Sequence, residues 1–287
     1  MKKRIIITDS ASDISKADEK AYKIRILPFS VAVDGVSYIS RVDFDNDGFY
    51  KMLENAKELP TTTQITPYQF ETLFDELWHD GYREVILVLI NSEGSATYNN
   101  CRYVAEEFMA EHESEMTIYT VDSRSYTCAY GYPVVEAAKM LLDGVKTEDI
   151  LAYLKDYMNR SIIYAALYTL KYAGRSGRIP SAAAFVGDAL GMKPIMRICD
   201  NHITTGDKVR GERNIVPFIA KKMTEVVAPG EPYCIVYGSD DAVRDEMAAA
   251  AEETMGYLPA AFYKIGAAIA INAGTKVCGF SSLRKPE

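Results

Sequence analysis

Apolar residues come along the first half of the chain in short solid runs: KRIIITD from residue 3, IRILPFSVAV from 24, EVILVLI from 84 and MTIYTVD from 116. Runs of this length, rich in Ile and Val, suit strands buried on both faces. The stretches between them are amphipathic, with helical period near Phe70–Asp80 and again after Ser95. Strands alternating with helices predict a parallel sheet with crossover helices, a doubly wound α/β domain. Ligands of such sheets bind beyond the carboxyl ends of the strands, where loops lead into helix N-termini.

The rhythm then changes. A helix is predicted in VDSRSYTCAYGYPVVEAAKMLLDG and another in TEDILAYLKDYMNR, with Thr147 as its N-cap. Beyond them SIIYAAL, KPIMRIC, HITTG and YCIVYG suit strands, separated by GRSGRIPS and GDKVRGERN. This half reads as a second, α+β domain, so the chain divides at 1–160 and 161–287. IGAAIAINAG from Ile265 reads as a buried strand that turns at Asn272–Gly274. With the small residues of AAAFVGDALGM it could also line a narrow apolar tunnel.

Two helix starts carry more hydroxyls than a cap needs. In PTTTQITP, Thr66 suits the N-cap, Pro67 the first helical position and Gln69 the return partner of a capping box. That leaves Thr61, Thr62 and Thr63 in front of the helix. In LINSEGSATYNN, Ser92 and Ser95 precede the next helix, and Ser95 or a neighbour would cap it. Each loop alone reads better as an ordinary cap than as a ligand site. Side by side on one sheet edge, their hydroxyls, free N–H groups and helix dipoles would make a site for a carboxylate or phosphate.

At 287 residues the chain can bury a sizeable core, and its 48% hydrophobic and 25% charged residues are ordinary for a globular protein. A net charge of -8 argues against nucleic acid as a partner. The twenty tyrosines are dispersed, which also fails to suggest base stacking. Few apolar residues separate the basic start from Thr8, and no apolar run approaches a membrane span, so the expectation is a cytoplasmic protein without integral membrane association. Five cysteines without CxxC spacing suit buried, reduced thiols.

Catalytic and metal signals are weak. The three histidines, His79, His112 and His202, lie in polar surroundings, and there is no GxSxG elbow. No His/Cys/Asp cluster has ligand spacing, and DFDND at Asp43–Asp47 reads as a solvated turn. GRSGRIPS lacks the P-loop pattern and reads as a surface turn with Arg175 and Arg178 in solvent.

Several stretches, in order, resemble the DegV family of bacterial fatty-acid-binding proteins. TDSASD resembles its TDSTAD, PTTTQIT its PTTSQPS, NSEGSATY its SSxLSGTY, and TLKYAGRSGRI its TLxYLxxGGRI. VDSRSYTCAYG, GMKPI, KVRG and IGAAIAINAG also fall where the family has counterparts, so the resemblance covers essentially the whole chain.

The resemblance implies two domains enclosing a long-chain fatty acid, with its carboxylate held at Thr62 and Ser95 and with Thr61 and Asn272 alongside. It also implies a carrier with no catalytic residue and no cofactor beyond the bound lipid, presenting the carboxylate to an ATP-binding fatty acid kinase subunit. Arg175, Arg178, Lys208 and Arg210 would supply the contact surface. Where the family has a histidine in GTHTGPG, this chain has Asn272 in AINAGTK, an amide that donates but cannot become cationic. The alternatives are an enzyme acting on a phosphorylated or acyl substrate through Arg175, Arg178 and Lys208, or a carrier of another amphiphile.

Overall fold

The structure, a computed structural model, describes residues 2–112, 115–179 and 191–285. Its first strand, β1 (Lys3–Asp9), is followed by α1 (Lys16–Ala21) and β2 (Arg25–Leu27). The apolar run expected as one strand breaks at Pro28, which has no N–H for a ladder, so β3 (Ser30–Val33) belongs to another sheet. It pairs with β4 (Val36–Ile39) on one side and, after α2 (Asn46–Asn55), with β5 (Thr61–Thr63) on the other. The DFDND stretch is therefore more than a turn: Asp45 caps α2, accepting from the Gly48 N–H at 2.7 Å.

Next come α3 (Pro67–His79), β6 (Tyr82–Leu89), α4 (Thr97–Glu111), β7 (Thr117–Asp122), α5 (Cys128–Leu142) and α6 (Thr147–Arg160). Strands β2-β1-β6-β7 form the expected all-parallel sheet. The capping box of α3 is complete: the Gln69 N–H donates to Thr66 Oγ1 at 3.3 Å, and the Thr66 N–H donates to Gln69 Oε1 at 2.9 Å. Such a cap stabilises by about 1 kcal/mol. Thr147 starts α6 but does not cap it, because its hydroxyl is committed to Glu84 on β6.

From residue 161 the chain builds a six-stranded sheet. In chain order these elements are β8 (Ser161–Leu167), α7 (Ala173–Ser176), β9 (Met192–Cys199), β10 (His202–Arg210), α8 (Ile215–Val226), β11 (Tyr233–Tyr237), α9 (Asp241–Met255), β12 (Ala261–Lys264), α10 (Ala267–Ala273) and β13 (Val277–Leu283). The order is β10-β9-β8-β13-β11-β12, antiparallel except for β11 with β12. GDKVRGERN is only partly the expected loop, since Asp207–Arg210 continues β10 past an irregularity at Gly206. IGAAIAINAG is a helix rather than a strand: alanine favours helix, and Asp13 takes the Gly266 N–H at 2.8 Å where α10 begins. Apart from Gly191 and Met192, AAAFVGDALGM lies outside the described residues.

Strand alternation gives this sheet two working faces. Ile162, Tyr164 and Ala166 of β8 lie in a core with α8 and α9, while Leu167, Met196, Val236 and Val277 join the larger core shared with the N-terminal half. Polar ties cross between the halves. Asn46 donates to the Lys264 carbonyl at 3.0 Å, and the Tyr50 hydroxyl donates to that of Ile265. All five cysteines are buried and free, and burial pushes their thiols up.

Candidate functional site

Between the six-stranded sheet and the loops at the carboxyl ends of the parallel strands lies a cavity with a mainly apolar lining. Its floor follows from register. Ile163 and Ala165 of β8 face it together with their cross-strand partners Ile198 and Met196 of β9, and Leu167 pairs with Val277 of β13. Ile203 of β10 extends this wall, and α10 covers it with Ala268 and Ile269. Its polar lining includes Thr62, Gln64, Ser95, Arg178 and Asn272.

The two hydroxyl loops are tied to each other. Ser95 Oγ and Thr97 Oγ1 are 2.9 Å apart, Ser95 Oγ accepts from the Thr97 N–H at 3.3 Å, and Thr97 Oγ1 accepts from the Ile65 N–H at 3.3 Å. Asn100 then donates to the Ile65 carbonyl at 2.9 Å. A fully buried threonine thus links the segment after Thr62 to the turn that carries Ser95. A Cβ on Gly94 in that turn would sit 2.3 Å from the Tyr126 hydroxyl, so a side chain there would have to displace that ring.

Of the residues singled out from sequence, Thr62, Ser95 and Asn272 all line this cavity. Thr61 does not, because alternation along β5 turns it away and brings Gln64 round instead. The same period of two, read outward from Thr62, would have found Gln64 in the sequence. Asn272 donates to the Ala268 carbonyl one turn back at 2.9 Å, which leaves one amide hydrogen for the cavity. Arg178 is exposed, as expected, and also borders the cavity beside Tyr126, whose hydroxyl burial pushes upward against the pull of that guanidinium. Arg175 instead borders a small recess with Pro60 and Lys171. Lys208 and Arg210 alternate on the exposed face of β10.

The TDSASD motif has a supporting part. Asp9 is fully buried and accepts from the Tyr130 hydroxyl at 2.6 Å, the Ile90 N–H at 2.7 Å and the Ala11 N–H at 3.0 Å, joining the ends of β1, β6 and α5. Burial raises its pKa to about 6, although those three donors oppose the rise. Asp13 is pushed up to about 7, again by burial, with the Gly266 N–H and the Arg41 charge opposing. Asp13 Oδ2 and Thr127 Oγ1 have no hydrogen-bond partner among the described residues. In the sequence Asp9 and Asp13 are marked only by the TDSASD motif, which carries no sign of their burial.

The described residues contain no group of three or more His, Cys, Asp or Glu side chains able to hold a metal ion, and no helix long and apolar enough to cross a membrane. The family model for DegV proteins matches residues 3–285. A DegV domain-containing protein of Caldanaerobacter subterraneus subsp. tengcongensis is 32% identical over 223 residues, covering 78% of this chain and 77% of that one. The fold is that of a stearic acid-binding protein from Eubacterium ventriosum, with TM-score 0.87 at 24% identity over 99% of both chains. It is also that of a fatty-acid-binding DegV family protein from Thermus thermophilus, with TM-score 0.84 at 26% identity over 99% of this chain and 100% of the other.

Proposed function

Because the chain belongs to the DegV family, we propose that it encloses one long-chain fatty acid in this cavity, the acyl chain on the β8–β9–β10 wall and the carboxylate at Thr62 and Ser95. The observation that carries this reading is the join of an apolar sheet face to two interlinked hydroxyl loops in a single cavity. A carboxylate leaving water needs several donors, and a hydrocarbon chain needs none. The Thermus thermophilus relative, described as fatty-acid-binding, supports the ligand class.

In this reading residues 1–160 hold the head group, 161–287 close over the chain, and the protein is a cytoplasmic carrier without catalysis of its own. Its partner would be an ATP-binding kinase subunit that phosphorylates the presented carboxylate. In this reading Arg178, which borders the cavity, and Lys208 and Arg210, exposed on β10, would be the basic residues that meet it. Denaturing extraction of the purified protein followed by mass spectrometry should find a fatty acid near one per chain. If none is found and added palmitate does not bind, the carrier reading fails.

Asn272 gives a sharper test of head-group placement. His79, the last residue of α3, and His112, just past the end of α4, both bond the carbonyl four residues back through Nδ1, at 2.8 and 3.0 Å. A histidine at 272 can do the same toward Ala268 and turn Nε2 to the cavity. Asn272→His should therefore bind fatty acid more tightly than wild type at about pH 5.5 and lose that advantage by about pH 8. Taking the variant-to-wild-type ratio at each pH cancels the titration of Asp9 and Asp13. A ratio that does not change with pH would remove residue 272 from the head group.

A further inference from the structure

The turn that carries Ser95 and the sheet wall that would carry the acyl chain meet at one side chain, Asn91. It follows β6 and is fully buried. Its backbone carbonyl accepts from the N–H groups of Gly94 at 3.0 Å and Ser95 at 3.1 Å, and its Oδ1 accepts from the Glu93 N–H at 2.9 Å. Those bonds shape the turn. Its Nδ2 points the other way and donates to the Asn201 carbonyl at 3.0 Å, 110 positions along the chain, with a longer contact of 3.4 Å to the Tyr126 hydroxyl.

Asn201 and its neighbour Asp200 form the tip of the β9–β10 hairpin, both in the left-handed conformation at φ 68° and 51° that a tight two-residue turn requires. Arg124 holds the same tip, donating to Asn201 Oδ1 at 3.1 Å, and Arg284 grips Asp200 through two bonds of 2.6 and 2.7 Å. The hairpin is thus fastened at its tip, and its second cross-strand pair from that tip, Ile198 with Ile203, lines the cavity. One neutral amide is satisfied at both ends, by the head-group turn through its oxygen and by the hairpin through its nitrogen.

We infer that Asn91 is a positioning residue that couples the head-group turn to the β9–β10 wall, so that the grip on the acyl chain depends on a bond made from the carboxylate loop. The inference rests on the reading of the cavity as a fatty-acid site. It makes Asn91 a determinant of chain-length preference: releasing the hairpin tip weakens contact with the methylenes lying against Ile198 and Ile203 and leaves the head group where it is. A short acid, which lays fewer methylenes against that wall, loses less.

Asn91→Ser separates the two halves of the role. A serine hydroxyl can still accept from the Glu93 N–H, which preserves the turn, but is too short to reach the Asn201 carbonyl. Titration of wild type and variant with octanoate and palmitate should show palmitate weakened about tenfold and octanoate by less than twofold. Arg124→Ala, which removes the other N-terminal tie to the same tip, should show the same chain-length signature. Hydrogen exchange should rise at residues 199–203 and stay unchanged in β1 and β6. Equal weakening of both acids, or no weakening of either, in a variant that still melts cooperatively overturns the inference. Should Asn91→Ser fail to fold, the same comparison in Arg124→Ala decides it. Wild type that binds neither acid instead removes the carrier reading beneath it, an outcome distinct from both.

Discussion

The double variant Thr62→Ala/Ser95→Ala is expected to bind palmitate at least about 100-fold more weakly than wild type while keeping its fold. Each hydroxyl would donate to a carboxylate, and losing one hydrogen bond to a charged group costs roughly 1.5 to 3 kcal/mol. That corresponds to about a ten- to hundredfold change in dissociation constant for each single variant. Thr62 is exposed, so its loss costs little stability. Ser95→Ala leaves Thr97 Oγ1 still accepting from the Ile65 N–H at 3.3 Å. Because Thr97 links the two loops, the single effects should not simply add. Calorimetric titration checks this, and a double variant with wild-type affinity would place the carboxylate elsewhere.

Asp13→Asn is expected to raise the melting temperature at pH 8 by on the order of 10 °C and to flatten the dependence of stability on pH. The carboxyl has a pKa of about 7 in the fold against an ordinary value of 3.8, so the folded chain holds the proton more tightly than the unfolded one. A raised acid pKa contributes stability below the unfolded value, and that contribution is lost as pH climbs from about 4 through 7. Each tenfold difference in proton affinity is about 1.4 kcal/mol, and 1 kcal/mol moves the melting point of a chain this size by roughly 2 to 4 °C.

The amide remains neutral throughout. Its oxygen can keep the Gly266 N–H, and its nitrogen replaces the unpartnered Oδ2 beside the equally unpartnered Thr127 hydroxyl. Asp9, whose pKa is about 6, keeps a smaller slope in the variant. Melts of ligand-free protein from pH 5 to 8 test this, and equal slopes in the two proteins would show that Asp13 is ionised in the fold at all these pH values.

Much of the fold was legible because the signals are local. Solid Ile/Val runs at β1 and β6, the Thr66–Gln69 box and the alternation of strands with helices each depend on residues a few positions apart. The same locality explains the misreadings. Pro28 divides a continuous apolar run between two sheets, and the Ala-rich Ala267–Ala273 is helical, its preceding Gly266 N–H held by an aspartate 253 residues away. Short apolar runs do not distinguish helix from strand, so a distant partner decides.

Sequence alone determined that hydroxyl loops precede α3 and α4 and that the family pattern runs through the chain, since both are matters of residue type and order. Tertiary structure decided which hydroxyls share a cavity. The alternation of β5 selects Thr62 and Gln64 over Thr61, and the pairing of Ile163 with Ile198 sets the apolar floor. It also decided that Asn91 meets the hairpin tip at Asn201. Register and long-range contact are properties of packed elements, because each depends on two segments whose separation along the chain carries no trace of their approach in space.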